Sequence, residues 1–288
     1  MKFTKLQGTG NDFVLIEESS TTSDYTKLAR AMSDRHFGIG SDGLLVLLPS
    51  TVADFRMRMF NPDGSEGEAC GNGLRCVVRY VYDKGLFSGG AEKVTIETMK
   101  GTRKARLFKT GDKLTKIQVS MGSPEFGAEY LPLVLGQGEK GIVDIKPIMD
   151  YPVTVGDWKL LLNFVSMGNP HAVHFLNEPV ADFPLSQVGP EVQELPIFPN
   201  SVNFGIARVL SRQEIEARVW ERKAGGTLAC GSGACAIGVI AQLRGYVDSN
   251  IEIRLPGGKL EVEWDGLGEV FLSGPAEVVF TGEWLGEV

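Results

Sequence analysis

The sequence predicts an α+β protein of two pseudo-symmetric domains, born of an internal duplication. Each domain reads as a mostly antiparallel sheet or barrel wrapped around a central helix. Three observations predict this. The segment ACGNG at 69–73 returns as ACGSG at 229–233, 160 residues later. Each copy opens a proline-free apolar stretch, and a glycine follows each cysteine by 15 residues, at Gly85 and Gly245. Short alternating segments with turn residues surround both stretches. Self-similarity at a fixed offset marks a repeated structural unit, and a helix apolar on most sides has to be enclosed by other elements.

The elements follow in order. GTGNDFVLI begins one half and SMGNPHAVHF the other, with Asn11 and Asn169 lying 59 and 61 residues before their cysteines. FRMRMFN (55–61) and EARVWE (216–221) alternate as strands do, placing Asn61 and Glu221 each nine residues before a cysteine. Gly43 and Asn203 each precede their cysteine by 27. Next come the two helices, LRCVVRYVYDK and ACAIGVIAQLR, each stopped by its glycine. VTIETMKGTRKARL and IEIRLPGGKLEVEW both read as strand, glycine turn, strand.

MGSPEF (121–126) reads as the crossing between halves, giving a first domain over 1–121 and a second over 122–275. GPAEVVFTGE lacks an earlier counterpart, so 276–288 is expected to complete the first domain. The insertion at 131–148 reads as a surface excursion plus a strand. GIGSDG (38–43) matches the dinucleotide fingerprint in letters only, because a strand-like run follows it where a helix is required. It is read as a turn.

A chain of 288 residues can hold two cores, and 43% apolar with 23% charged residues is ordinary for a globular protein. The net charge of −7 argues against nucleic acid or an anionic membrane as partner. No apolar run reaches a membrane span, and the first residues resemble no targeting segment. The expected location is the cytoplasm, where thiols stay reduced. The four cysteines (Cys70, Cys76, Cys230, Cys235) contain no Cys-x-x-Cys, and the three histidines keep no ligand spacing, so no metal is expected.

Cys70 and Cys230 each stand where a helix begins, ahead of Gly-x-Gly. The positive end of a helix dipole is expected to lower a thiol's pKa toward the working range. Backbone N–H groups of Gly71, Asn72, Gly231 and Ser232 would form an anion site. If the domains face each other, a carboxylate could be held by both helices with a sulfur on either side. That is the arrangement needed to invert an amino-acid α-carbon with two bases and no cofactor. Cys76 and Cys235 fall inside the helices, out of register with one another, and read as packing residues.

At these motifs the chain resembles the diaminopimelate epimerases. GTGNDFVLI, DRHFGIGSDGLL, NPDGSEGEACGNGLRC, SMGNPHAV, ERKAGGTLACGSGACA, LPGGKLEVEW and SGPAEVVFTGE are similar to that family's signatures in order, from end to end. The resemblance implies two α/β domains closing over the substrate. It also implies interconversion of LL- and meso-diaminopimelate, on the route to lysine and peptidoglycan. Cys70 and Cys230 would be the bases. Asn61, Asn169, Asn203, Glu221 and Arg222 would bind the substrate's far amino-acid end, and Asn11 would join the groups around the reacting carboxylate. His171 sits near the site in relatives and is either accessory or structural. The chain departs from the family pattern at Lys223 and Gly226, in the loop before the second cysteine. It departs again at Gly43, where some relatives use Gln as a substrate contact.

Other readings stay open. One is a racemase for another amino acid, such as histidine or proline, on the same scaffold. Another is a Cys–His hydrolase using His171 or His174 as base, and a third is a non-catalytic binding protein for diamino acids. A small-molecule substrate is the expected partner, with neither nucleic acid nor membrane. A homodimer is allowed, though no residue pattern demands it.

Overall fold

The computed structural model describes residues 1–19, 23–67, 70–86, 92–111, 113–127, 130–134, 147–222 and 224–286. The chain divides into two compact units, Met1–Ser120 with Ser273–Val288, and Met121–Leu272.

In the first unit, strand Lys2–Gly8 pairs antiparallel with Asn11–Glu17, which runs parallel to Gly43–Leu48. Gly43–Leu48 pairs antiparallel with Phe55–Phe60, which runs parallel to Lys93–Thr98. Antiparallel pairings to Gly101–Thr110 and then Lys113–Ser120 follow. At the other side, Glu277–Glu283 pairs antiparallel with Lys2–Gly8, so the end of the chain lies in the first unit's sheet.

The second unit repeats the series. Trp158–Ser166 is antiparallel to Pro170–Phe175, which is parallel to Asn203–Ser211. Asn203–Ser211 is antiparallel to Glu214–Glu221, which is parallel to Asn250–Leu255, and Gly258–Glu263 closes the series antiparallel. Tyr151–Val155 flanks Trp158–Ser166. Both units thus run antiparallel, parallel, antiparallel, parallel, antiparallel. This is the duplicated α+β architecture the repeat predicts.

Parallel neighbours need a long crossover, commonly helical, and this explains a difference from the one-helix expectation. Among the described residues each unit carries two helices, one for each parallel pair. Helix α1 (Tyr25–Ser33) crosses before Gly43–Leu48, and α2 (Gly71–Asp83) crosses before Lys93–Thr98. Helix α3 (Leu185–Gln193) and α4 (Gly231–Leu243) do the same in the second unit. Asp24 caps α1 by accepting from Lys27 N–H at 3.2 Å. Pro184 and Pro190 obscure α3 in the sequence, since proline inside a helix removes a donor.

Helices α2 and α4 are the central ones. Helix α2 touches Lys2–Gly8, Asn11–Glu17, Gly43–Leu48, Phe55–Phe60, Lys113–Ser120 and Glu277–Glu283, so the sheet wraps it from one side to the other. The run GLLVLL is buried throughout because it is covered on both faces. Leu44, Val46 and Leu48 pack toward Leu28 and Met32 of α1, while Leu45 meets Gly73 of α2. Full burial of a leucine or methionine such as these contributes about 1.5–3 kcal/mol. Both central helices end alike. Gly85 (φ +63°) and Gly245 (φ +69°) take the left-handed conformation. Leu86 N–H reaches back to Val81 O and Tyr246 N–H to Ala241 O, each at 3.0 Å.

Within the 131–148 insertion, residues 135–146 lie outside the described residues, and the described remainder forms no strand. Leu131 and Ile148 are buried in the second unit's core.

Candidate active site

Both cysteines stand at the N-cap of a central helix in extended conformation, with φ/ψ of −131/119° at Cys70 and −109/110° at Cys230. Each sulfur accepts the N–H of the third residue on, from Gly73 at 3.4 Å and Gly233 at 3.3 Å. The glycines are needed for that approach. A Cβ on Gly233 would sit 2.8 Å from Val219 and 3.2 Å from the Cys230 sulfur. Gly71 and Gly231 open the helices, with Asn72 and Ser232 next, and N–H groups of a first turn have no acceptor within their own helix.

The first unit gathers Asn11, Cys70, Gly71 and Asn72. Asn11 Oδ1 lies 3.7 Å from Cys70 Sγ, which donates to it, and accepts from Asn72 Nδ2 at 3.2 Å. Asn11 Nδ2 donates to Asp42 at 2.8 Å. Behind Asn72, the fully buried Arg75 donates to Asn72 Oδ1 at 2.7 Å and to Thr9 Oγ1 at 3.1 Å. Asn61 directly follows its strand, with Nδ2 donating to Ser65 Oγ at 3.0 Å.

The second unit gathers Asn169, His171, Glu221, Cys230, Gly231 and Ser232. Ser232 Oγ lies 3.6 Å from Cys230 Sγ, and Asn169 Nδ2 donates to Ser232 at 3.4 Å. His171 Nε2 meets Asn169 Oδ1 at 2.9 Å. Burial, with help from Arg222, holds the His171 pKa down to about 3, so the ring is neutral. Thr227 Oγ1 donates to the Glu221 carboxylate.

Asn203 is placed differently from the other amides. Its Nδ2 donates to Pro170 O at 3.0 Å and its Oδ1 accepts Arg222 N–H at 2.9 Å, so it fixes the backbone beside Glu221. The Arg222 guanidinium donates to Asn200 O at 3.2 Å. The first unit has no such clamp for two reasons visible in its residues. Pro62 stands at the place of Arg222 and has no N–H, and Gly43 stands at the place of Asn203. A Cβ on Gly43 would press to 2.8 Å from Phe60 O. Gly226 pairs with Trp220 on the strand leading to Glu221, and Lys223 lies outside the described residues.

The expectation that a helix start lowers the thiol pKa fails at Cys230. Burial first, and then the Glu221 carboxylate, push it well above its ordinary value, against the opposing donors Ser232 and Gly233. Cys230 is therefore a thiol at neutral pH, held so by burial first and by Glu221 second. Cys76 is fully buried, and burial pushes its thiol up to about 12, consistent with packing.

Asp42, Arg75 and Thr227 are the contacts that sequence reasoning missed. Asp42 sits in GIGSDG, the motif set aside as a turn; it is indeed followed by a strand, but the turn's last acid faces Asn11. A cavity of 1010 Å³ in the first unit, lined by Lys2, Glu17, Tyr80 and Lys84, lies at the opposite end of α2 from Cys70. Among the described residues no cluster of His, Cys, Asp and Glu is arranged to hold a metal, and no helix is long and apolar enough to cross a membrane.

The sequence model of the family described as diaminopimelate epimerase matches residues 3–127 and 163–279. The chain belongs to the diaminopimelate epimerase family. Membership makes it an isomerase. It is 44% identical over 286 residues to the diaminopimelate epimerase of Desulfovibrio desulfuricans, covering 99% of this chain and 98% of that one. It is 42% identical over 285 residues to that of Methanococcus maripaludis, covering 98% and 99%. Among solved structures it is similar in fold to a probable proline racemase from Agrobacterium radiobacter, with a TM-score of 0.72 at 16% identity, covering 99% of this chain and 93% of that one. A hydroxyproline epimerase from Agrobacterium vitis follows at 0.69 and 15%, covering 98% and 91%.

Proposed function

We propose that the protein interconverts LL- and meso-diaminopimelate in the cytoplasm, using Cys70 and Cys230 as paired acid and base and no cofactor. The observation that supports this most is that the two cysteines cap equivalent helices in a duplicated fold whose full-length relatives carry that name. One sulfur, as thiolate, takes the α-proton. The electron pair left on carbon spreads into the carboxylate, where helix-start N–H groups from Gly71, Asn72, Gly231 and Ser232 offset the charge. The other sulfur, as thiol, delivers its proton to the opposite face. One S–H bond forms as the other breaks, so the enzyme returns ready for the reverse direction.

At the far end of the substrate, Glu221 receives the ammonium and Arg222 the carboxylate, with Asn61, Asn169 and Asn203 completing recognition. Thr227 holds Glu221 in place. Ammonium binding also offsets the Glu221 charge, the second cause after burial of the raised Cys230 pKa, so occupancy makes that proton easier to transfer.

Cys70→Ala and Cys230→Ala should each lower epimerisation by about 10³-fold or more while circular dichroism stays native. Full activity in either variant would sink the two-base reading. Deuterium uptake from heavy water into diaminopimelate, compared with proline and histidine, tests the substrate. Faster exchange into either of the latter would transfer the proposal to another racemase.

A further inference from the structure

The hydrogen bonds around Asn11 have a direction. Arg75 carries only donors, so Asn72 must turn its oxygen toward it and its NH2 toward Asn11. Asp42, paired with Arg35 at 2.7 Å, only accepts, so Asn11 must turn its NH2 toward it. The two constraints come from opposite sides and agree. Both leave Asn11 Oδ1 as the atom that faces Cys70 Sγ. Donation runs Arg75 to Asn72 to Asn11 to Asp42, from a buried cation to a carboxylate.

The residues of this relay are not repeated in the second half. Counting 160 residues on, Arg75 becomes Cys235, Asn72 becomes Ser232 and Asp42 becomes Val202. There the neighbour of the sulfur is a hydroxyl that can donate. The duplicated helices therefore present their sulfurs to different neighbours, a fixed acceptor at Cys70 and a hydroxyl able to donate or accept at Cys230.

We propose that Asp42 is a positioning residue for the reaction: it locks the Asn11 amide so that a fixed acceptor faces Cys70, orienting its S–H and making its thiolate the more basic. This rests on Cys70 being a reacting base. Lys5 and Arg35 supply the supporting charges, Lys5 through Asp12 and Arg35 through both Asp12 and Asp42. One Asp42 oxygen takes both Asn11 Nδ2, at 2.8 Å, and Asp12 N–H, at 3.1 Å, while the other takes Arg35. A single carbonyl oxygen at that place would be enough.

The test needs no substrate. The pH dependence of iodoacetamide alkylation at Cys70, followed by mass spectrometry on the full chain, reads the thiolate directly. Asp42→Ala removes the acceptor of the Asn11 NH2 and leaves Asn72 as the remaining constraint, so Oδ1 is held less firmly toward Cys70 and the midpoint should fall, by up to about one unit. Asp42→Asn keeps one oxygen and should stay close to wild type, as should Arg35→Ala, which spares the oxygen facing Asn11. An unchanged midpoint in folded Asp42→Ala overturns the proposal, as does an equal shift in Arg35→Ala, which would make the effect one of local charge. Should Asp42→Ala not fold, the wild-type Asn11 side-chain NH2 resonance, assigned by its loss in Asn11→Asp, must move as Asp42 titrates; an indifferent resonance overturns the idea. Failure of the two-base reading shows instead as absent deuterium exchange with these midpoints intact.

Discussion

At the residue scale, identical letters acquire different chemistry from what surrounds them. Cys70 is half-buried beside an amide oxygen, whereas Cys230 is buried beside a carboxylate, and burial first and Glu221 second raise the latter's pKa. His171 was legible as a residue near the site but not in its role. The structure makes it a neutral partner of Asn169. Its pKa of about 3, against 6.5 in an ordinary setting, has a consequence for stability. Between those values the unfolded chain takes up a proton that the native chain refuses. Stability is then fully present above pH 6.5 and declines as the pH falls toward 3, by up to about 1.4 kcal/mol per pH unit. His171→Gln should flatten that slope in urea titrations between pH 6.5 and 4; an unchanged slope would show that the ring is not held neutral. Below that range Asp12 adds to acid loss. Burial works against its charge, but hydrogen bonds from Arg35 and Lys5 outweigh it and hold the carboxyl below its usual range, so its contribution disappears as the pH falls through that lowered value.

At the scale of elements, the central helices were readable because three local signals coincide: a capping sulfur, an apolar stretch and a left-handed glycine. Helices α1 and α3 were not, since they are short and neither starts at the repeated motif. A nine-residue helix has little stability alone and depends on its packing. Only the parallel pairing beside each reveals that a crossover is required. For α1 the missed signal was Asp24 ahead of Leu28 and Met32. Asp24→Ala should cost about 1 kcal/mol, seen as a lower denaturation midpoint with an unchanged active site. A shift within error would mean that packing against Val14, Val46 and Phe60 carries the helix without its cap.

At the scale of the whole molecule, the chain's last strand belongs to the first unit. Lys2–Gly8 pairs with Glu277–Glu283, and Arg75 donates to Pro275 O at 3.2 Å. Removing residues 275–288 should strip hydrogen-exchange protection from Lys2–Gly8 and loosen the Arg75 anchor behind Asn72. Protection in Trp158–Ser166 should persist, because its partners Tyr151–Val155 and Pro170–Phe175 lie in the second unit. Equal loss in both strands would mean that the units unfold as one.

The sequence by itself determined the duplication, the central helices and the two cysteines, because backbone periodicity, caps and glycine stops are local. Only the tertiary structure decided the polarity of each amide and the proton affinity of Cys230. Those depend on Asp42, Arg75 and Glu221, residues separated along the chain and brought beside Asn11, Asn72 and Cys230 by folding, and hydrogen-bond direction and desolvation act only between groups in contact.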